Sequence, residues 1–203
     1  MRILGLDEAG RGCVLGPLVV GGFVATEDQL KAIKATGATD SKALSAKKRE
    51  ALIEPLKALG EHGLRSVSAK AIDGGNINTL EEEAFASLIE EFKPDRVIID
   101  CPVHPKGIPN FKARMRKLVS YEPEWVIEPK ADVNYPCVSA ASIFAKVTRD
   151  GVIAGMGDVG SGYPGDPKTL KWLQGFIDAK KPFPPGVRTR WGTIRRLSQQ
   201  ELF

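Results

Sequence analysis

The chain opens with MRILGLDEAGRG (residues 1–12), and this stretch indicates both the fold class and where the chemistry lies. The apolar run at residues 3–6 predicts a short strand, and two consecutive acids, Asp7 and Glu8, follow it at once. A second apolar run occupies residues 18–25, after a Gly-Pro pair. Glycine and proline between two apolar runs are typical of tightly joined strands. We therefore expect two neighbouring strands with a pair of acids at the end of the first.

Helical and strand patterns alternate along the rest of the chain. Thr79 and Glu82 form a capping box that predicts the start of a helix, and residues 96–100 read as a strand that ends in an acid. The other predicted elements are helices at residues 45–59, 106–119 and 138–153, strands at 64–70 and 125–128, and two or more helices beyond residue 167. This alternation predicts an α/β core. We expect a single domain over residues 1–203, with residues 166–203 forming a helical, basic C-terminal extension.

Composition is that of an ordinary globular domain, with 203 residues of which 42% are hydrophobic and 27% are charged. These values exclude collagen-like, disulfide-scaffold and wholly disordered chains. The N-terminal apolar run is too short for a secretory signal, and no window approaches the ~18 apolar residues of a membrane helix. Three widely spaced cysteines and two histidines make a zinc site improbable. We expect a cytoplasmic monomer with reduced thiols.

Four carboxylates occupy positions where metal chemistry is plausible. Asp7 and Glu8 end the first predicted strand, Asp100 ends another, and Asp132 precedes the alanine-rich helix. Side chains at the carboxyl ends of neighbouring strands converge on one rim of an α/β sheet, where several acids repel one another unless cations neutralise them. Mg²⁺ and Mn²⁺ prefer such oxygen ligands. For any single Asp, helix capping or a surface loop remains the alternative, but consecutive acids gain little from capping.

Five motifs carry a resemblance to a known family. They are DEAGRG at residues 7–12, DSK at 40–42, VIID ending at Asp100, KADVNYPCVSAASIFAKVTRD at 130–150, and GSGYPGDP at 160–167. In this order they resemble the motifs of ribonuclease HII, the type 2 ribonuclease H family, over residues 1 to about 190. A related ribonuclease HIII would bring an extra N-terminal domain before DEAG, for which this sequence leaves no room. A binding module without catalysis would have lost acids that this chain keeps.

The resemblance implies an RNase H-like fold, a central mixed β-sheet flanked by helices with a helical C-terminal segment. It implies endonucleolytic cleavage of RNA in RNA–DNA hybrids and incision 5′ to single ribonucleotides in duplex DNA, leaving 3′-hydroxyl and 5′-phosphate ends. Such an enzyme would serve ribonucleotide and RNA primer removal, in DNA replication and repair. Asp7, Glu8, Asp100 and Asp132 are the implied catalytic and metal-binding acids, with two Mg²⁺ or Mn²⁺ ions during catalysis. Asp95 is the near rival of Asp100, but it precedes the strand.

The resemblance also implies residues that contact the substrate, namely Gly10, Arg11, Gly12, Lys42, Ser139, Lys146, Arg149 and Tyr163. Glycines let the backbone approach the ribose 2′-hydroxyl, which both donates and accepts hydrogen bonds. A plain turn is the alternative for Gly-Arg-Gly, and a turn anchor is the alternative for Tyr163, the family tyrosine that packs against a sugar. For Lys146 and Arg149, which share a helix face, phosphate contact and a salt bridge both stay open.

Basic residues cluster although the net charge is only +4. Eight bases oppose two acids between residues 166 and 197, and five bases face no acid between residues 103 and 121. Solvated helix faces often explain such clusters. Beside a site that cuts phosphodiesters, a nucleic-acid track is the better interpretation.

The last five residues, QQELF at 199–203, resemble the QxxLF motif that docks replication proteins on a sliding clamp. Leu202 and Phe203 would enter an apolar pocket while Gln199 fixes the register. The alternative is that the two apolar residues cover the core as a helix end. A sliding clamp is therefore a predicted partner, beside RNA–DNA hybrids and ribonucleotide-containing duplex DNA.

Overall fold

The computed structural model describes residues 1–38 and 43–199, and the described residues form a five-stranded mixed sheet. The strands are β1 (Arg2–Ala9), β2 (Leu18–Thr26), β3 (Glu61–Val67), β4 (Arg96–Asp100) and β5 (Glu124–Glu128). Their order is β3-β2-β1-β4-β5. β2 runs antiparallel to β1 and β3, whereas β1, β4 and β5 are mutually parallel. The predicted α/β fold with a mixed sheet is confirmed.

Helices cover both faces of this sheet. They are α1 (Leu30–Ala35), α2 (Ala46–Lys57), α3 (Ala69–Gly74), α4 (Ile77–Phe92), α5 (Ile108–Leu118), α6 (Ala131–Asn134), α7 (Pro136–Gly155), α8 (Pro167–Asp178) and α9 (Gly192–Gln199). Side chains alternate between the two faces along each strand. Leu4 and Leu6 of β1 therefore join the core beneath α4 and α5, while Ile3 joins the core beneath α7. No helix among the described residues is long and apolar enough to cross a membrane.

Helix α7 lies unusually close to the sheet because two strand glycines face it. A Cβ placed on Gly5 would lie 2.3 Å from the carbonyl carbon of Cys137, and one on Gly21 would lie 2.4 Å from the carbonyl oxygen of Ala141. Only glycine tolerates such an approach. The contact brings the N-terminal half of α7 against β1 and β2, beside the strand end that carries the first acids.

The C-terminal helices pack on the segment that follows β1. Val14 and Leu15 share an apolar cluster with Leu173 of α8 and Ile194 of α9, and Leu15 forms an isolated antiparallel bridge with Val187. The last quarter of the chain therefore supports the loop that leads out of the first strand.

Capping side chains explain two of the places where the structure differs from the predicted boundaries. The strand predicted to reach residue 70 ends at Val67, because the Ser68 hydroxyl accepts the Ala71 N–H at 3.2 Å and starts α3. The helix predicted to begin at Thr79 begins at Ile77, with the Asn76 side chain as its cap. At both places a capping side chain starts the helix earlier in the sequence than the apolar pattern predicts.

Candidate active site

Three carboxylates meet at the carboxyl ends of β1 and β4. Asp7, Asp100 and Asp132 each place an oxygen within 4.8 Å of the others. Asp7 and Asp100 lie near the ends of parallel neighbouring strands, so their side chains emerge at the same edge of the sheet. Asp132 comes from the short helix α6, directly before α7. The structure therefore brings together three of the four acids that the sequence singled out.

A hydrogen bond fixes the two later acids relative to each other. An Asp100 oxygen accepts the backbone N–H of Ala131 at 3.2 Å, at the first residue of α6. The preceding residue, Lys130, has a positive φ of 61°, and this turn sets the direction of α6. Asp132 follows Ala131 in the chain, so the bond that places α6 also places the Asp132 carboxylate beside the strand end.

Burial dominates the electrostatics of Asp7. The pKa of the Asp7 carboxyl is raised from 3.8 to about 7, mainly by desolvation and in part by the charges of Asp100 and Asp132. Hydrogen bonds from the Ser142 side chain and from the Glu8 N–H act in the opposite direction. A carboxyl group with this pKa is only partly ionised at neutral pH, and a nearby positive charge would favour its ionised form.

Glu8 lies outside this group of three, on the opposite face of β1. Burial raises the pKa of its carboxyl well above the usual value, and the charges of Asp7 and Glu81 add to the effect while Arg11 opposes it. One Glu8 oxygen is buried and has no hydrogen-bond partner among the described residues. The Glu8 side chain therefore approaches the site from the face that α4 covers.

Arg11 contacts the start of α4. Its guanidinium forms an ion pair with the buried Glu81 and a hydrogen bond to the side chain of Asn78. Nothing in the sequence pattern singled out Glu81 or Asn78, because Glu81 belongs to a run of three acids that reads as a solvated helix face. In this structure Arg11 is bound by protein groups at the rim of the site.

The two glycines beside Arg11 differ in burial and in the space available for a Cβ atom. Gly10 is buried at a φ of 86°, and a Cβ there would lie 2.5 Å from the carbonyl oxygen of Pro17. Gly12 is exposed, and a Cβ there would meet nothing within 4 Å. The fold therefore requires glycine at position 10 but leaves the space beside position 12 open.

Arg149 and Tyr163 form a single cluster. The Arg149 guanidinium lies 5.0 Å from the centre of the Tyr163 ring and donates to the Cys13 sulfur at 3.0 Å. Arg149 is buried and pairs with Asp150 at 3.0 Å, so the salt bridge considered for it is present, while phosphate contact stays a prediction. Tyr163 remains 40% exposed, which leaves one side of its ring accessible.

The other predicted contacts lie on α7 or outside the described residues. Ser139 is buried, and its hydroxyl has no hydrogen-bond partner among the described residues. Lys146 is half-buried, on the same helix. Lys42 lies outside the described residues, as do Leu202 and Phe203 of the predicted clamp motif, whereas Gln199 is the last residue of α9.

Comparisons with known proteins show which family this chain resembles. Residues 4–194 match the family model described as Ribonuclease HII. Ribonuclease HII of Pyrococcus abyssi is 40% identical over 207 residues, which cover 98% of this chain and 92% of that protein. The crystal structure of the ribonuclease H2 from Pyrococcus horikoshii OT3 is similar, with a TM-score of 0.89 and 38% identity over 98% of both chains. A structure of the PCNA:RNase HII complex from Archaeoglobus fulgidus matches with a TM-score of 0.85 and 36% identity over 96% of both chains.

These matches confirm the RNase H-like fold and the family that the motifs predicted. They extend over nearly the whole chain, including every described element that carries an acid of the site. On this evidence the protein belongs to the ribonuclease HII family and is a type 2 ribonuclease H, an endonucleolytic hydrolase of the RNA strand in RNA–DNA hybrids.

Proposed function

We propose that this enzyme also incises duplex DNA on the 5′ side of a single embedded ribonucleotide, leaving 3′-hydroxyl and 5′-phosphate ends. The observation that carries the proposal is the position of Gly12. Its backbone is open to solvent in the loop that directly follows the acids Asp7 and Glu8, and nothing lies where a Cβ would point. A backbone that a sugar can approach closely is suited to sensing one 2′-hydroxyl.

Asp7, Asp100 and Asp132 fit a hard divalent cation. The donor set consists of carboxylate oxygens gathered within 4.8 Å, which Mg²⁺ and Mn²⁺ prefer over other ligands. A cation there would offset the burial and repulsion that raise the pKa of Asp7. Glu8, which has an unpartnered oxygen on the other side of β1, would help to hold a second ion. Bound ions of this kind activate water and stabilise the leaving oxygen of a phosphodiester.

The remaining substrate contacts follow from accessible groups around the acids. The exposed side of the Tyr163 ring would pack against the deoxyribose next to the ribonucleotide, held in place by Arg149. Exposed bases on α8 and α9, namely Lys171, Arg195 and Arg196, would contact the phosphates of the duplex. Arg188 does not belong to this surface, because its side chain is fully buried.

Two duplexes test the activity. One carries a single ribonucleotide in otherwise all-DNA strands, and the other is an RNA–DNA hybrid; an all-DNA duplex is the blank. With Mg²⁺ or Mn²⁺ we expect a single cut 5′ to the ribonucleotide, and a DNA polymerase should extend the upstream product because it ends in a 3′-hydroxyl. Cleavage of the hybrid without any cut at the single ribonucleotide would refute the proposed specificity.

Paired variants test the acids. Asp100→Asn should abolish cleavage because it removes a member of the carboxylate group. Asp95→Asn is the matched control, since Asp95 is an exposed acid of the same strand region whose carboxylate accepts the Arg2 N–H at 2.6 Å, away from the site. Equal activity of the two variants would contradict the assignment.

We also propose that the C-terminal pentapeptide docks on a sliding clamp. Its support is the QQELF sequence at 199–203, together with the relative from Archaeoglobus fulgidus that forms a complex with PCNA. Deletion of these residues should abolish binding to immobilised PCNA while leaving cleavage of free duplexes unchanged. Retained binding would refute this proposal without affecting the nuclease assignment. For the enzyme itself we propose a cytoplasmic location, which fractionation of cells would test.

A further inference from the structure

The side chain of Arg188, from the segment between α8 and α9, is buried against the loop that carries Gly10, Arg11 and Gly12. Its side chain is fully inaccessible to solvent, and it heads the fully buried side chains when these are ranked by volume. The guanidinium donates to the carbonyl oxygens of Gly10 at 2.6 Å, Arg11 at 2.9 Å and Gly16 at 3.0 Å. One side chain thus joins both ends of the loop between β1 and β2.

The buried guanidinium of Arg188 forms hydrogen bonds to carbonyl groups instead of an ion pair with an acid. None of the ion pairs among the described residues includes Arg188, whose guanidinium contacts neutral carbonyls and the ring of Trp191, with the ring centre 4.9 Å away. Burial lowers the pKa of Arg188 to about 10. A buried charge without an acid is unfavourable for stability compared with a well-packed apolar side chain. Three carbonyls accept hydrogen bonds from this one side chain, which fixes their positions relative to one another.

The segment that carries Arg188 is itself fixed from two sides. The Arg188 N–H donates to the Val14 carbonyl at 2.9 Å, beside the bridge between Leu15 and Val187. On the other side, the Asp73 carboxylate at the end of α3 accepts the Thr189 N–H at 2.6 Å. Because the backbone around Arg188 is held on both sides, its guanidinium is a rigid support for the loop.

We propose that Arg188 is a positioning residue, which fixes the loop at residues 10–16 so that the backbone at Gly12 meets the sugar next to the scissile phosphate. This inference rests on the proposed function. Arg188 acts through the carbonyls of Gly10 and Arg11, which lie immediately before Gly12. Placement errors of about 1 Å reduce catalysis by up to ~100-fold, so the loop needs a support that holds several carbonyls at once.

The test separates positioning from stability. Arg188→Met keeps a long unbranched side chain and removes every hydrogen-bond donor. Arg188→Lys keeps the charge, but its single nitrogen replaces the three that donate to the carbonyls. Leu56→Ala is the control, because Leu56 is fully buried in α2 beneath α7, away from the loop, and its truncation lowers stability alone. All variants are assayed on the single-ribonucleotide duplex, at a temperature where circular dichroism shows each to be folded.

We expect Arg188→Met to lower kcat by about 10- to 100-fold, with KM changed by less than about threefold, since the exposed bases that bind phosphate are intact. Arg188→Lys should recover part of kcat, and Leu56→Ala should match the wild type. If Arg188→Met does not fold, Arg188→Lys decides, and a wild-type kcat in that variant would overturn the inference.

Two further outcomes distinguish this inference from the proposed function. If the wild-type enzyme cuts and Arg188→Met behaves like Leu56→Ala, or if its loss is confined to KM, the positioning role is wrong and the proposed function stands. If the wild-type enzyme cuts only the hybrid, the proposed specificity is wrong, and the same kcat comparison on the hybrid then decides whether Arg188 positions the loop.

Discussion

Asp7→Asn is expected to stabilise the metal-free protein at pH 8 while it abolishes cleavage. In the unfolded chain the Asp7 carboxyl ionises near its ordinary pKa of 3.8, whereas burial and the neighbouring acids raise this pKa to about 7 in the folded protein. Above pH 7 the fold must therefore hold a buried carboxylate that water would solvate better. Asparagine has nearly the same shape and carries no charge.

The size of the effect follows from the two pKa values. Each pKa unit corresponds to about 1.4 kcal/mol, so a rise from 3.8 to about 7 destabilises the folded state by up to about 4 kcal/mol at pH 8. Because the pKa of Asp7 is raised in the folded state, the contribution of protonated Asp7 to folding stability is fully present below pH 3.8. This contribution is lost as the pH rises to about 7. At pH 5 the loss is under about 2 kcal/mol. The advantage of the asparagine variant should shrink accordingly.

Thermal unfolding in EDTA measures this directly. For a chain of this length, 1 kcal/mol shifts Tm by roughly 2–4 °C, so Asp7→Asn should raise Tm by up to ~16 °C at pH 8 and by less than half of that at pH 5. Addition of Mg²⁺ or Mn²⁺ should raise the Tm of the wild type, because ligands that bind the folded state stabilise it. The Tm of Asp7→Asn should rise less on addition of the same ions, because the variant lacks one carboxylate of the site.

The reasoning fails if Asp7→Asn is less stable than the wild type at pH 8 in EDTA. It fails equally if the variant gains as much at pH 5 as at pH 8, since the effect would then not come from the charge of Asp7. A variant that gained stability but still cleaved would separate the electrostatics from the catalytic assignment.

Five further substitutions have expected outcomes that urea unfolding and the cleavage assay measure. Gly12→Ala should leave stability within about 0.5 kcal/mol, because its Cβ has open space, but should impair cleavage; Gly10→Ala should destabilise the fold by about 1–3 kcal/mol through its positive φ. Equal activity of Gly12→Ala and wild type would contradict the close approach of a sugar. Gly5→Ala should destabilise by about 1–3 kcal/mol by pushing α7 off the sheet, and unchanged stability would show that α7 yields freely. Arg114→Ala should cost about 1–3 kcal/mol, because the buried Glu82 carboxylate loses its bidentate partner; a smaller loss for Glu82→Gln than for Arg114→Ala would support the charge as the cause.

The local hydrophobic pattern of the sequence was sufficient to predict most strands of the sheet and the acids at their ends. Short apolar runs predicted β1, β2, β4 and β5, because buried strands in a covered sheet read as continuous apolar segments. The choice of Asp100 over Asp95 relied on the same reasoning, and the structure places Asp100 with Asp7 and leaves Asp95 exposed at the strand start.

Contacts between distant parts of the chain were not predictable from pattern. Glu81 belongs to a run of acids typical of a solvated helix face, yet it is buried against Arg11. Arg188 was counted among the bases of a surface track, yet it lies inside the protein. The hydrophobic pattern of a helix or strand shows which of its faces is apolar. A single polar residue such as Glu81 or Arg188 becomes buried because a remote segment covers it, and the local sequence carries no signal of that contact.

The bonds of Arg188 also have a consequence for the order in which the enzyme becomes competent during synthesis. They connect residues 172, 177 and 178 positions apart in the chain. Domains fold from the N-terminus as the chain emerges from the ribosome, and contacts this remote form late. The carboxylates of β1, β4 and α6 are all available once about two thirds of the chain has been made, whereas the loop gains its support only when the final segment has left the ribosome. Incomplete chains therefore carry the acids of the site before the loop at residues 10–16 has gained its hydrogen bonds from Arg188.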